Sequence, residues 1–107
     1  MCGIFFYMGY KYNFENLLID FNKIIGRGPD QSKIIDIDDK VFGFHRLAIN
    51  DLSENGMQPF IDNNIYLICN GEIYNHNYLK KEYDITCNSK SDCEVIIHLY
   101  KLVGIGK

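Results

Sequence analysis

The 107-residue chain lacks an excess of positive charge: eleven lysines and arginines stand against fourteen acidic residues, a net charge of −3. The basic surface that binds nucleic acid or anionic lipid is therefore not expected. No uninterrupted apolar run approaches the roughly 20 residues of a membrane helix. Met1 is not followed by the basic and apolar regions of a secretory signal. Neither nucleic acid nor membrane is expected as a partner. Cys2, Cys69, Cys87 and Cys93 form no CxxC pair. Free thiols in a reduced, cytoplasmic setting are expected, not a disulfide framework, and a small redox protein is disfavoured. His45, His76 and His98 are scattered, so no metal site of finger type is expected. A phosphate-binding glycine loop is also missing. Proline occurs only at Pro29 and Pro59, and no repeat, linker or low-complexity tract interrupts the chain.

What remains is 47% hydrophobic and 14% aromatic. That is one small globular domain over residues 1–107, not a disordered segment. Its core is modest, as for any domain of about 100 residues.

Gly3 to Met8 reads as a buried strand. Asn13 then stands before Phe14, Leu17, Leu18, Phe21, Ile24 and Ile25, whose spacing of three and four marks one face of a helix. Asn13 suits its N-cap and Gly26 its C-terminal stop. Residues 27–30 (RGPD) read as a loop. Residues 34–37 and 41–49 read as two strands joined by a turn at 38–40. Residues 50–59 read as a surface loop and 65–69 as another buried strand. Asn70-Gly71, a strong turn signal, would join it to 72–74 as a hairpin. Residues 75–83 suit a short helix with Tyr78 and Leu79 inside. Ser91-Asp92-Cys93-Glu94 is a capping-box pattern opening a last helix, with Val95, Ile96, Leu99, Tyr100 and Val103 as its stripe and an end near Gly104. The order β-α-β-β-β-β-α-α predicts an α+β or layered α/β domain.

Four groups of residues suit chemistry. Removal of Met1 would leave Cys2 with a free α-amine beside its thiol. An α-amine has a pKa near 7.7–8.0, so part of it is neutral and takes the thiol proton. The other reading of Cys2 is a small buried hydrophobe. Asn70 and Gly71 offer one side-chain amide and one backbone N–H, the two donors an oxyanion needs, or else an ordinary turn. Arg46, one of two arginines with Arg27, offers a bidentate fork for a carboxylate, or else decorates a strand. His45 beside it is either a base or a satisfied core histidine. Glu72 and Asp92 suit a substrate ammonium, although Asp92 also complements a helix dipole.

In order, MCGIF, RGPD, HRLAIND, QP, NGEIYNH and SDCEVI resemble the class II glutamine amidotransferase domain, most closely that of glutamine-hydrolysing asparagine synthetases. The resemblance runs from Cys2 to about Tyr100. It implies Cys2 as nucleophile, the Asn70 side chain and Gly71 N–H as oxyanion hole, and Arg46 with the Ile49 backbone at the α-carboxylate of L-glutamine. It implies Glu72 and Asp92 at the α-amino group. The implied fold is the N-terminal-nucleophile hydrolase sandwich, αββα in four layers. The implied reaction needs no cofactor, with ATP and Mg²⁺ acting only in a synthetase domain that this stretch does not contain.

Two departures stand out. RGPD is usually preceded by His and here follows Gly26. The chain also matches only about the first half of the family's glutaminase domain, so an incomplete sandwich is expected, either needing a synthetase domain or a full-length relative as partner, or binding glutamine without turnover.

Overall fold

The computed structural model describes residues 2–9, 11–48 and 53–104. The predicted role of Ile49 lies outside them. The described chain is a mixed α/β structure of two compact units, residues 1–48 and 49–107.

The first unit is a three-stranded antiparallel sheet with one helix. Strand β1 (Gly3–Met8) and strand β2 (Gln31–Ile37) both pair with strand β3 (Lys40–Arg46), which is central. The register sets Gly3 opposite His45 and Gln31 opposite Arg46. Helix α1 (Phe14–Asn22) starts as its sequence predicts, Asn13 Oδ1 accepting from the Glu15 and Asn16 N–H groups at 2.9 and 3.3 Å. It stops earlier than Gly26. Lys23 is its C-cap and residues Ile25–Arg27 form a separate 3₁₀ turn that contains Gly26 and leaves Ile25 exposed.

Phe21 anchors α1 to the sheet. Its ring packs edge-on to Phe5 at 5.7 Å and stacks on the His45 ring at 3.8 Å. It fits because Gly43 has no Cβ there, one at that position falling 2.6 Å from the Phe21 ring. Burying such a phenyl contributes about 1.5–3 kcal/mol. Strand β1 is not buried on both faces as expected. Gly3, Phe5 and Tyr7 face inward, whereas Ile4, Phe6 and Met8 are 43, 50 and 60% exposed. It is an edge strand, and Phe21 of α1 packs on the face bearing Phe5.

The second unit has a two-stranded antiparallel sheet of β4 (Phe60–Asp62) and β5 (Ile65–Leu67), then helices α2 (His76–Glu82) and α3 (Val95–Val103). The hairpin predicted at Asn70-Gly71 is not formed. The turn lies at residues 63–64 instead, where Asn63 takes φ of 54°, and neither Asn70 nor Gly71 has positive φ. A two-residue turn needs a strand on each side, and Phe60–Asp62 supplies the partner that residues 72–74 do not. The expected strand count survives only because β4 replaces the segment 72–74.

Phe60, Cys93 and Ile97 form the unit's core, with Ile65, Leu67 and Cys69 packed on it. Tyr78 is 62% exposed and Tyr100 is exposed, contrary to their assigned inward faces, while Ile97 is buried. The capping box is also not formed. Ser91 makes no cap hydrogen bond, residues Asp92–Glu94 form a 3₁₀ turn, and Glu94 is the N-cap position of α3. Gly104 ends α3 at φ 72°, a conformation that glycine adopts without strain. No described helix is long and apolar enough to cross a membrane.

Candidate active site

In the first unit the structure brings Cys2 and Arg46 to one end of the sheet. Extending the β1–β3 register by one residue places Cys2 opposite Arg46. The Cys2 sulfur accepts the Leu47 N–H at 3.2 Å, and its thiol lies 3.6 Å from the Leu47 carbonyl. Arg46 is buried, and its Nη1 donates to Gln31 Oε1 at 2.8 Å.

The RGPD loop ties this corner together, a role that composition alone did not show. Arg27 Nε donates to the Cys2 carbonyl at 3.2 Å. The Asp30 N–H donates to the Arg46 carbonyl at 2.9 Å, and Asp30 Oδ2 accepts the Ala48 N–H at 2.8 Å. Gly28 lies flat on the strand: a Cβ there would sit 2.2 Å from the His45 carbonyl oxygen. One loop thus positions the backbone on both sides of Arg46 and the carbonyl of Cys2.

His45 is a satisfied core histidine. It is fully buried, with Nε2 2.8 Å from the Phe21 carbonyl and Nδ1 2.6 Å from Ser32 Oγ. A carbonyl only accepts, so Nε2 carries the proton and Nδ1 accepts from Ser32. No lone pair is left for a general base.

The second unit holds Asn70, Gly71, Glu72 and Asp92 together. The loop leaving β5 is fixed at its root by Gln58, whose Oε1 accepts the Cys69 N–H at 2.6 Å and whose Nε2 donates to the Cys69 carbonyl at 3.2 Å. This side chain does the work of a neighbouring strand just before Asn70. Its only signal in the sequence was the short QP motif, here with a cis Gln58–Pro59 bond. Asp92, nearly buried, accepts the Ile73 N–H on Oδ2 at 2.6 Å and so holds the loop at its far end. Between these two anchors Asn70 is half-buried and Gly71 exposed, with nothing within 4 Å of where a Gly71 Cβ would be. Glu72 is exposed and hydrogen-bonds the Tyr74 phenol, which raises the phenol's pKa.

The remaining thiols differ from Cys2 in environment. Cys93 lies 3.0 Å from Cys69, sulfur to sulfur, and burial first, then that contact, push its pKa strongly up. Burial and the Glu94 charge push Cys87 up to about 11.

The sequence pattern marks Glu94 only as a capping residue. Burial raises its pKa, but hydrogen bonds from Ser89, His98 and Asn88 outweigh that and lower it overall. Its oxygens accept the Asn88 and Ser89 N–H groups at 2.9 and 2.8 Å and the Ser89 hydroxyl at 2.5 Å. Glu94→Gln turns one acceptor into a donor facing donors. A loss of about 1–3 kcal/mol is expected, read by urea denaturation; an unchanged midpoint and slope would contradict it.

Two anchored corners are thus built, one bearing Cys2 and a buried arginine and the other a held Asn-Gly loop. The chain belongs to the glutamine amidotransferase domain family, whose profile matches residues 1–107. It is 44% identical over 112 residues to a probable glutamine-hydrolysing asparagine synthetase of Acanthamoeba polyphaga mimivirus, covering 97% of this chain and 20% of that protein. It is 50% identical over 84 residues to glutamine-hydrolysing asparagine synthetase 2 of Bacillus subtilis (strain 168), covering 75% of this chain and 11% of that one. For the glutamine-hydrolysing asparagine synthetase of Homo sapiens the figures are 36% over 111 residues, 98% and 20%. The chain spans about a fifth or less of the length of these curated relatives.

Proposed function

We propose that the chain hydrolyses L-glutamine to glutamate and ammonia through a Cys2 glutamyl thioester. The observation that carries this is the Cys2 sulfur fixed by the Leu47 N–H next to the buried Arg46. After loss of Met1 the α-amine of Cys2 takes the thiol proton, and the sulfur attacks the side-chain amide. The Asn70 amide and the Gly71 N–H stabilise the oxyanion that forms. The protonated amine then gives that proton to the amide nitrogen, which leaves as ammonia, and water hydrolyses the thioester to glutamate and the free thiol. Arg46 and the Ile49 backbone bind the substrate carboxylate, and Glu72 and Asp92 bind its ammonium. The half-reaction uses no metal or cofactor. The four-layer αββα sandwich is the fold in which these residues act. Joined to a synthetase part, the domain would pass its ammonia to an ATP- and Mg²⁺-dependent amidation of aspartate, as the resemblance implies.

The test is release of glutamate and ammonia from L-glutamine in equal amounts. Binding of L-glutamine without release would reject turnover and leave a glutamine-binding protein. Arg46→Ala is expected to weaken L-glutamine binding at least tenfold, since a charged hydrogen bond contributes about 1.5–3 kcal/mol. Arg46→Lys should restore only part of it, because one ammonium cannot replace a bidentate fork. Unchanged affinity in a chain that still melts cooperatively refutes the role.

A further inference from the structure

Three metal-ligating side chains converge in the second unit, apart from the residues assigned to glutamine. Glu94, at the N-cap of α3, stands one turn before His98, with His98 Nε2 2.9 Å from Glu94 Oε2. The loop before α3 folds back onto Glu94, giving it the Asn88 and Ser89 N–H groups. This brings the neighbouring Cys87 to the same place. The three ligand atoms lie within 4.8 Å of one another. Glu94 and His98 also line an open cleft of about 390 Å³ with Asn55, Asp62 and Asn88.

We propose that Cys87, Glu94 and His98 form a binding site for a zinc-class divalent transition-metal ion, with a fourth position open to the cleft. Tetrahedral zinc with ligand bonds of about 2.0–2.3 Å sets its ligand atoms about 3.2–3.7 Å apart. The histidine–carboxylate pair, at 2.9 Å, needs to open by only a few tenths of an ångström, and the thiol needs a movement of about 1 Å. Thiolate and carboxylate together neutralise a divalent ion, so the filled site brings no net charge into a partly buried place. The donor set selects the metal class: sulfur and imidazole suit zinc, whereas calcium and magnesium take oxygen. The Asn88 and Ser89 N–H groups and the Ser89 hydroxyl hold the carboxylate in place, as outer partners do in metal sites. On binding, the Cys87 thiol loses its proton to solvent and His98 ligates through Nε2, its proton moving to Nδ1. Without an ion, Nε2–H simply donates to Glu94. The inference is independent of glutamine turnover.

The test uses the C2A chain, in which an amine–thiol pair at Cys2 cannot chelate. Zinc chloride is titrated by calorimetry, and cobalt(II) is added as an absorbing substitute. One zinc per chain is expected, with a thiolate-to-cobalt charge-transfer band in the near ultraviolet. Cys87→Ser should abolish that band, and Cys87→Ser and His98→Ala should each weaken zinc binding at least tenfold. Circular dichroism checks that each variant is folded. If His98→Ala does not fold, the parent spectrum and Cys87→Ser decide by themselves, since Cys87 lies in a loop. Absence of the charge-transfer band in the parent overturns the site. So does zinc binding that survives Cys87→Ser but is lost when Cys69 and Cys93 are replaced.

Discussion

Cys2→Ala is expected to abolish both glutamine hydrolysis and labelling by a glutamine-mimicking alkylator, a loss on the order of 10⁴-fold or more. Removing the nucleophile of an acyl-transfer site leaves only binding and oxyanion stabilisation. The other thiols cannot substitute. Cys93 is buried and its pKa is pushed strongly up, and Cys87 is raised to about 11. Both therefore remain thiols at neutral pH, and the thiolate is the reactive form. Cys69 is in contact with Cys93 inside the apolar cluster of the second unit. Cys69→Ala, Cys87→Ala and Cys93→Ala should each leave the label on Cys2. Intact-mass spectrometry after labelling reads the outcome, and also shows whether Met1 has been removed. A full adduct on the Cys2→Ala chain would refute the assignment.

Gly28→Ala should be the most damaging single methyl group in the first unit. The new Cβ would lie 2.2 Å from the His45 carbonyl oxygen, 2.4 Å from its carbon and 2.7 Å from the Arg46 carbonyl carbon. All three are backbone atoms of the central strand, so no side chain can swing aside. The loop must lift away, which breaks the Asp30–Arg46 backbone bond and the Asp30–Ala48 bond. Overpacking of side chains costs about 1–3 kcal/mol. A clash against backbone belongs at or above the top of that range, so a loss of about 3 kcal/mol or more is expected. For a small domain this is a large part of total stability. Thermal melting checks it, and Gly26→Ala is the control, because a Cβ at Gly26 meets nothing within 4 Å. Equal melting of the two variants would show that the loop does not lie on the strand.

The candidate residues of the site could be named from the sequence because their types are set by chemistry. A thiol at position 2, an arginine inside an apolar stretch and an Asn-Gly pair are each identifiable without coordinates. The helix at Phe14–Asn22 was legible too, because a local cap and a 3.6-residue stripe are properties of neighbouring residues. The Asn-Gly hairpin was misplaced for a related reason: a turn signal states what a dipeptide tolerates, not which strands flank it. The missed strand Phe60–Asp62 is three residues long and follows a proline. Such a segment carries too little alternation to be read before its partner is known.

The capping box failed because Glu94 had another partner. Its pattern fits S-x-x-E, yet its carboxylate accepts from residues 88 and 89, which precede the supposed cap. The Gln58 clamp on Cys69 and the Asp92 hold on Ile73 span 11 and 19 residues. No local rule relates such positions.

By itself the sequence determined the mixed α/β class, the start of the first helix, the family and the residue types available for glutamine chemistry. These follow from composition, from periodicity and from motifs whose members are chemically constrained. Only the tertiary structure decided that RGPD is a clamp on the Arg46 strand, that His45 is consumed by Phe21 and Ser32, and that Cys87 meets Glu94 and His98. These depend on which distant backbone groups meet, and that is set by packing Phe21 against Gly43 and the Phe60–Cys93–Ile97 cluster within its own unit. Hydrophobic burial is non-directional, so sequence indicates that these side chains are buried but not which polar groups are carried together when they are.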